Sequence, residues 1–342
     1  MNLLICEQAC QAPPSNRTQS SANFRSDILL RALLADIALM EDVQVTVVHD
    51  RANALHDLPK QHGVPRVVSL DKTDTGTTID QCIDDADVVW PLAPESNGLL
   101  EAISKDVQRH DKILLGCTPD AIRLSGSKYL TSQALRAADI AVVPTYRTHS
   151  TLPTSAGAWV VKPDDGAGCS DTHIFPTLRA AREWIMSRVF SNYVLQPYLP
   201  GRPCSLSLLC GAESVFLLGC NDQHIAVSDN QFHYMGSTVN GMDDPHGQLA
   251  QLARRVIAAI PGIWGYVGID LIMTEHGPVV LEVNPRITMS HGGLHASIGV
   301  NPAKMLFDVL RLGYCDVRPC HQHRQISVDI HGAHPGSAST LN

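Results

Sequence analysis

The first third of the chain alternates short apolar runs with stretches of helical periodicity. Residues 3–5 form the first apolar run, and leucines at helical spacing follow within residues 28–40. Residues 43–48, 87–90 and 113–116 repeat the strand pattern, and Pro91 is expected to close the second of these strands. Strands that alternate with helices predict a parallel sheet wrapped by helices, with ligand-facing loops at the carboxyl ends of its strands. Glu95 lies in one such loop.

The pattern changes near residue 125. A helix at 128–138 is followed by apolar segments typical of strands, namely residues 159–162, 193–196, 205–210, 215–218, 267–273 and 279–283, with one helix at 247–260 among them. We therefore predict an α/β part followed by α+β modules that clamp a nucleotide. The predicted units are an N-terminal α/β domain at 1–125, two modules at 126–195 and 196–318, and a polar tail at 319–342.

Composition narrows the expected partners. The 342 residues are 44% hydrophobic and 18% charged, with a formal net charge of -8. This balance argues against nucleic acid or an anionic membrane as the main partner, since both favour a basic face. No apolar run reaches membrane-spanning length, and the first residues lack a signal-peptide pattern. We expect a cytoplasmic protein that acts on small molecules, and we interpret its ten cysteines as mostly buried apolar residues.

Two carboxylates and an amide occur in the last two predicted strands. If these strands are antiparallel neighbours, Asp270 lies beside Glu282, while Glu282 and Asn284 point to the same face of one strand. Such oxygen ligands suit Mg²⁺ or Mn²⁺, which completes its coordination with phosphate and water oxygens. A plain strand end stopped by Pro285 is the alternative for the second segment alone.

A lysine and a glycine-rich loop form a second candidate site. Lys162 ends an apolar strand, and residues 164–170 follow it as a small, glycine-rich loop whose N–H groups can approach phosphate oxygens. Lys128 opens a helix and supplies a second candidate cation. A hairpin turn and a solvated lysine are the alternative interpretations. Neither the P-loop motif nor the dinucleotide fingerprint is present.

The order of these elements resembles the ATP-grasp superfamily over about residues 113 to 310. The resemblance implies an ATP-grasp fold with a preceding parallel-sheet domain, and ATP with Mg²⁺ or Mn²⁺ as cofactors. It also implies residue roles: ATP phosphate binding by Lys128, Lys162, Gly166 and Gly168; adenine contacts by Gln196, Tyr198 and Leu199; metal binding by Asp270, Glu282 and Asn284; and catalysis by Arg286, which steadies the transferred phosphoryl group. Gln196-Pro197 and Pro203 depart from the common nucleotide-binding pattern of the family.

Short motifs outside the core resemble the group that contains the tyramine–glutamate ligase of methanofuran synthesis. They are residues 94–100, 115–119, 221–223 and 284–290. The resemblance implies a carbon–nitrogen ligase of one-carbon metabolism that joins the γ-carboxyl of L-glutamate to an aromatic amine such as tyramine through an acyl phosphate. The resemblance to the family also implies a homodimer that forms through the N-terminal domain.

Three residues are candidate substrate contacts. Glu95 is a candidate for holding the amine, with an exposed loop glutamate as the alternative interpretation. Thr288 and Ser290, together with His291, are candidates for the acyl pocket, although a helix N-cap explains Ser290 equally well.

Two other functions remain open. One is another ATP-grasp ligase, joining two amino acids or adding glutamate to a pterin-type cofactor. The other is a nucleotide-binding regulator without catalysis. The intact set of Asp270, Glu282, Asn284 and Arg286 argues against it, since a sensor has no need of an arginine that contacts an acyl phosphate.

Overall fold

The structure, a computed structural model, describes residues 1–8, 16–49, 65–70, 75–153, 157–188, 192–315 and 323–330. For residues 16–26, 75 and 76 only the backbone is described. Of the late histidines, His321, His331 and His334 lie outside these ranges.

Five parallel strands form the N-terminal sheet, in the order β3-β2-β1-β4-β5. The strands are β1 (Asn2–Glu7), β2 (Gln44–His49), β3 (Arg66–Ser69), β4 (Val88–Leu92) and β5 (Ile113–Leu114), and the helices between them are α1 (Asn16–Ile37), α2 (Thr75–Asp84) and α3 (Leu99–Arg109). The strand order reverses between β1 and β4, which is where α/β sheets bind ligands. The loop after β4, carrying Glu95, lies at this point. The predicted parallel sheet is confirmed.

The predicted ends of one helix and one strand in the N-terminal domain were wrong. Helix α1 ends at Ile37 rather than at residue 40. Strand β4 continues through Pro91, which pairs with Cys6 of β1. Val89, two residues earlier, accepts a hydrogen bond from Leu115 on the β5 side. The backbone nitrogen of Pro91 points to the same side, but beyond the end of β5. The missing N–H of Pro91 therefore costs no hydrogen bond between β4 and β5.

Ten strands form a second, antiparallel sheet, in the order β14-β13-β10-β11-β12-β8-β7-β9-β6, with β15 also paired to β12. The strands are β6 (Tyr146–Arg147), β7 (Trp159–Pro163), β8 (His173–Phe175), β9 (Tyr193–Pro197), β10 (Arg202–Cys210), β11 (Val215–Ser228), β12 (Gln231–Val239), β13 (Gly265–Thr274), β14 (Gly277–Asn284) and β15 (Ile326–Asp329). The remaining helices are α4 (Pro119–Gly126), α5 (Lys128–Ala137), α6 (Leu178–Met186), α7 (Gln248–Ala258), α8 (His291–Ile298) and α9 (Pro302–Leu312).

A narrow junction divides the second sheet. β8 and β12 are joined through one paired position, His173 with Gln231. The strands β6 to β9 pack around a small core that includes Trp159 and Leu195. The predicted boundary at 195/196 falls inside β9, which pairs with β6 and β7, so we place this boundary after Pro197. The boundary predicted near 125 falls at the end of α4.

The interpretation of residues 319–342 as a polar tail was wrong for one segment. β15 pairs with β12, and Val328 and Ile330 are buried against the core. Ile326, Val328 and Ile330 alternate with polar residues over only five positions, which is too short a pattern to predict a strand by itself, because pairing with an existing sheet supplies most of the stabilisation.

The N-terminal sheet and the antiparallel sheet share apolar cores. Trp90 of β4 stacks on Tyr266 of β13, with ring centroids 6.1 Å apart and planes 1° from parallel. Phe307 of α9 meets the Trp90 ring edge-on. Because these aromatic contacts are buried, they fix the loop after β4 against the ends of β13 and β14. None of the helices in the described ranges has the length and hydropathy needed to cross a membrane.

Candidate active site

A cavity of about 690 Å³ lies between the carboxyl ends of the N-terminal strands and the face of the antiparallel sheet. Its lining falls into two regions. The first carries the predicted nucleotide-binding residues Lys128, Lys162, Gly166, Gly168, Gln196, Tyr198 and Leu199. The second carries Asp270, Glu282, Asn284, Arg286, Thr288 and Ser290 together with Gln8, Leu92 and Pro94 from the N-terminal sheet. The fold therefore brings every predicted site residue except Glu95 and His291 to the lining of one cavity.

Lys128 is held by the start of the glycine-rich loop. Asp164 accepts hydrogen bonds from the Ser127 hydroxyl at 2.6 Å and the Tyr129 N–H at 2.8 Å, which satisfies the first turn of α5. The Lys128 ammonium donates to the carbonyl of Gly166 at 2.6 Å. Lys128 is 6% exposed, so the interpretation as a solvated surface lysine was wrong.

Lys162 and Lys128 both lie beside the carboxylate of Glu282. Lys162 Nζ is 3.6 Å and Lys128 Nζ is 3.5 Å from Oε2 of Glu282. Burial lowers the pKa of Lys162, and the charge of Glu282 opposes this effect. Burial also disfavours ionisation of Glu282, but Lys128 and Lys162 hold its pKa well below the ordinary value. Two cations beside one carboxylate create a site suited to further anionic oxygens.

The predicted carboxylate pair is confirmed as neighbours on antiparallel strands. Asp270 of β13 lies opposite Glu282 of β14. Asp270 accepts hydrogen bonds from Gln223 at 3.0 Å and from Asn284 at 3.3 Å. Burial, and then the charge of Glu282, raise the pKa of Asp270 well above its ordinary value.

This donor set fits a divalent cation. Two buried carboxylates side by side repel each other, and a cation bound between them would relieve this repulsion. A bound Mg²⁺ would stabilise both as anions and take oxygen ligands from Asp270, Glu282 and Asn284. Metal binding by these three residues stays a prediction.

The glycine-rich loop is tied to the loop after β4. The Ser96 hydroxyl donates to the carbonyl of Asp165 at 2.9 Å, and the Asn97 N–H donates to its carboxylate at 2.8 Å. Asn97 has φ of 58°, a conformation that asparagine tolerates better than most residues. Gly168 also has positive φ, at 60°. Sequence reasoning missed this contact because 68 residues or more separate its partners.

The predicted adenine-binding segment forms the end of β9 and the chain beyond it. Gln196 is buried, and its amide donates to the Thr145 hydroxyl at 2.8 Å. The Tyr198 ring lies 6.4 Å from the ring of Phe232 at a tilt of 32°. Tyr198 and Phe232 thus form an aromatic wall of the cavity, which suits a flat ring. Adenine contacts by Gln196, Tyr198 and Leu199 stay a prediction.

Arg286 lies just past β14 and is fixed by the N-terminal sheet. Its Nε donates to Oε2 of Glu95 at 3.0 Å, and its Nη1 donates to the Ile287 carbonyl at 3.2 Å. Glu95 is 8% exposed and does not belong to the cavity lining. The interpretation of Glu95 as an exposed loop residue was wrong, and its placement behind Arg286 does not favour the predicted contact with an amine.

Ser290 occupies the N-cap position of α8 without making a capping hydrogen bond. Its hydroxyl instead lies 3.0 Å from that of Thr288 and 2.8 Å from that of Ser207. His291 points away from the cavity: it is buried against Tyr266 and lies 3.4 Å from a carboxylate oxygen of Asp36. Thr288 and Ser290 therefore line the cavity, whereas His291 does not.

Two family models match the chain. An ATP-grasp domain model matches residues 125–290, and a pre-ATP-grasp domain model matches residues 43–122. The boundary between the two matches adjoins α4 and the predicted boundary near 125. The chain belongs to the ATP-grasp family.

Relatives and solved structures agree with this assignment. Tyramine–L-glutamate ligase of Methanocaldococcus jannaschii is 28% identical over 208 residues, and the match covers 61% of this chain and 58% of that protein. The enzyme of the same name from Methanocaldococcus fervens is 27% identical over 209 residues, covering 61% of each. The chain thus matches about three fifths of the length of these relatives.

An L-amino acid ligase from Bacillus licheniformis superposes with a TM-score of 0.69 at 17% identity, covering 93% of this chain and 77% of that one. A biotin carboxylase domain of 2-oxoglutarate carboxylase from Hydrogenobacter thermophilus, solved with MgADP and bicarbonate, superposes with a TM-score of 0.67 at 15% identity, covering 95% and 72%. At these identities the superpositions confirm the ATP-grasp fold.

Proposed function

We propose that the protein is an ATP-dependent ligase that converts a carboxylate into an acyl phosphate and joins it to an amine. One observation carries this proposal. Lys128 and Lys162 flank Glu282 within 3.6 Å, Asp270 pairs with Glu282, and Arg286 borders the same cavity. Cations, a metal-binding carboxylate pair and an anion-binding arginine are what transfer of a phosphoryl group to a carboxylate requires.

Charge repulsion is the first obstacle to this reaction. A substrate carboxylate and the γ-phosphate of ATP are both anions, and they repel each other in a cavity of low dielectric constant. Lys128 and Lys162 bind phosphate oxygens, and Arg286 holds the incoming carboxylate and the transferred group with its planar guanidinium. Asp270, Glu282 and Asn284 would hold Mg²⁺, which would supply further neutralisation of phosphate charge.

The glycine-rich loop then closes the nucleotide side. Hydrogen bonds from Ser96 and Asn97 to Asp165 hold Gly166 and Gly168 over the cavity. The backbone N–H groups of the loop there bind phosphate oxygens. Excluding water here protects an acyl phosphate, which would otherwise be hydrolysed. The amine is assigned to the region of the cavity that Gln8, Leu92 and Pro94 line.

The proposed substrates are L-glutamate, reacting through its γ-carboxyl, and an aromatic amine such as tyramine, as in methanofuran-type synthesis. Two curated relatives named tyramine–L-glutamate ligase support this choice. The apolar lining of the amine side, which includes Leu29, Leu92 and Met289, is compatible with an aromatic ring. A dipeptide-forming reaction is the second candidate, supported by the superposed L-amino acid ligase.

A trapping assay tests the proposal without knowledge of the amine. Hydroxylamine attacks acyl phosphates, so the purified protein with Mg²⁺, ATP and hydroxylamine should release ADP and form a hydroxamate when the right acid is present. ADP release that depends on the acid supports the ligase. ATP binding without acid-dependent ADP release would instead indicate the nucleotide-binding regulator. The predicted homodimer through the N-terminal domain is tested separately by the mass of the protein in solution.

A further inference from the structure

The carboxylate of Asp270 is held from both sides by amide side chains. Nε2 of Gln223 donates to Oδ1 of Asp270 at 3.0 Å, and Nδ2 of Asn284 donates to Oδ2 at 3.3 Å. An ionised carboxylate only accepts hydrogen bonds, so the nitrogen of each amide faces Asp270. All three side chains line the cavity. Asn284 is a predicted metal ligand, and Gln223 is its counterpart on the other oxygen of Asp270.

Gln223 reaches Asp270 across an intervening strand. Ser205 of β10 pairs with Asp270 of β13 on one side and with Asn221 of β11 on the other. Gln223 follows Asn221 by two residues and therefore points to the same face of the sheet. Two strand spacings, about 10 Å, separate β11 from β13. The short side chain of Ser205 leaves this span open, and a side chain as long as glutamine is needed to cross it.

The side chain of Gln223 is not needed for the pairing of its own strand. Gln223 pairs with Ser237 of β12 through the main chain. Within the described residues, the hydrogen bond to Asp270 is the one that its side-chain amide makes. The contact therefore acts on the carboxylate rather than on the sheet. Groups that hydrogen-bond to a metal ligand fix its orientation and influence how tightly the metal binds.

We propose that Gln223 is a positioning residue, which holds the Asp270 carboxylate in the orientation in which it binds a divalent cation together with Glu282 and Asn284. The inference rests on the proposed function in one respect, namely that a cation binds to these three side chains. Two amide donors, one on each oxygen, restrain rotation of the Asp270 carboxylate and stabilise its charged form. A ligand that is already oriented loses less conformational entropy when the cation binds.

Uptake of Mn²⁺ by the purified protein measures this role without turnover. The electron paramagnetic resonance signal of free Mn²⁺ falls as the protein binds the ion, which gives a dissociation constant. Gln223→Met keeps the length of the side chain but cannot donate a hydrogen bond. We expect its dissociation constant for Mn²⁺ to rise about tenfold to hundredfold, the range for losing a group that orients a metal ligand.

Three further variants complete the experiment. Gln223→Asn keeps the amide but is one methylene shorter, so it should not span β10 and should also bind Mn²⁺ more weakly. Gln251→Met makes the same chemical change as Gln223→Met on the exposed face of α7, and its Mn²⁺ affinity should equal that of the unmodified protein. Glu282→Ala, which lacks a proposed ligand, provides the signal expected for a lost site.

The Mg²⁺ dependence of activity gives a second measurement. In the hydroxylamine assay, the loss of ADP release in Gln223→Met should be largest at low Mg²⁺ and should shrink as Mg²⁺ is raised, because the substitution weakens cation binding. A general structural defect in the variant would not be repaired by Mg²⁺. A deficit that stays the same at every Mg²⁺ concentration would therefore contradict the inference.

The outcomes separate this inference from the proposed function. An unchanged Mn²⁺ dissociation constant in folded Gln223→Met, or no uptake of Mn²⁺ by the unmodified protein, overturns the inference, while acid-dependent ADP release still decides the ligase. An equal loss in Gln251→Met also overturns it, because the effect would not come from Asp270. If no acid gives ADP, the proposed function fails, and the Mn²⁺ titration decides the role of Gln223 alone. Thermal melting shows which variants are folded, and Gln223→Asn carries the test if Gln223→Met is not.

Discussion

Arg286 donates its Nε hydrogen to Oε2 of Glu95 across 3.0 Å, which joins the end of β14 to the loop after β4. The Glu95 side chain is 6% exposed and that of Arg286 is 16% exposed, so water screens this ion pair little. Arg286 borders the cavity and Glu95 does not. Glu95 therefore orients the guanidinium, whose remaining N–H groups can face the reacting anions.

Glu95→Gln should lower kcat about tenfold, and Glu95→Ala somewhat more, with the KM for ATP nearly unchanged. Glutamine keeps one acceptor for the guanidinium but loses the charge-assisted hydrogen bond, which is about twice as strong as a neutral one. Steady-state ADP release measures this effect. Glu101→Gln on α3 is the control, since Glu101 makes a helix-surface pair with Lys105. An unchanged kcat in Glu95→Gln would show that Arg286 needs no such positioning.

Arg286→Ala should lower turnover roughly 10²–10³-fold, the scale for losing one preorganised donor to developing charge. Arg286→Lys should recover little of it, because an ammonium cannot reproduce the planar fork that meets Glu95 and the anions together. A double variant with Glu95→Gln should be no slower than Arg286→Ala alone, since Glu95 acts through Arg286. If the free-energy losses of the two single variants add up in the double variant, Glu95 does not act through Arg286.

Glu282→Ala should abolish turnover. The substitution removes a proposed metal ligand and leaves Lys128 and Lys162 without the carboxylate that lies within 3.6 Å of both. Removal of Mg²⁺ by a chelator should have the same effect on the unmodified protein. Glu275→Ala, in the exposed turn of the same hairpin, should retain full activity. Near-normal ATP consumption by folded Glu282→Ala protein would remove the metal assignment.

Asp165→Ala should raise the KM for ATP severalfold while changing kcat less. The substitution removes the carboxylate that accepts the Asn97 N–H, and so it should loosen the glycine-rich loop, which we propose covers the ATP phosphates. Asp120→Ala is a suitable control, because Asp120 is exposed and pairs within its own helix. Limited proteolysis should show faster cleavage near residue 166 in Asp165→Ala. An unaltered KM and cleavage rate would show that this contact does not restrain the loop.

Cys169 should be alkylated faster than the other cysteines in the described part of the chain, and MgATP should protect it. It is partly exposed in the glycine-rich loop, whereas Cys6, Cys82, Cys117, Cys204, Cys210, Cys220 and Cys315 are buried. Burial raises the pKa of Cys204 and Cys220 to about 12, which leaves little reactive thiolate at neutral pH. Peptide mapping after iodoacetamide treatment measures each rate. Equal labelling of Cys169 with and without MgATP would contradict nucleotide binding beneath this loop.

Local pattern was sufficient to predict that the two carboxylates of the candidate metal site are neighbours. Asp270 and Glu282 belong to consecutive strands joined by a short turn, so their meeting follows from strand pairing alone. Lys162 precedes its glycine-rich loop by one residue, so their proximity follows from the chain itself, whereas the contact of Lys162 with Glu282 of β14 is long-range. The parallel sheet followed in the same way from alternating strand and helix periods.

Long-range contacts were beyond such reasoning. Glu95 and Arg286 are 191 positions apart, and nothing local to either residue indicates the other. Asn221 belonged to a short motif, yet its contacts with Ser205 and Ser207 depend on the pairing of β10 with β11. β15 was missed because its burial depends on β12 and α8 rather than on its own few apolar residues.

The most direct test of the ligase is ADP release by the purified protein with Mg²⁺ and ATP, measured with and without L-glutamate and with and without tyramine, followed by the mass of the product. The account predicts that ADP forms only when both the acid and the amine are present. It also predicts one amide for each ADP, with a mass equal to the sum of the two substrates less one water. ADP release that is independent of both, or ATP binding with no turnover for any acid and amine pair, would contradict it.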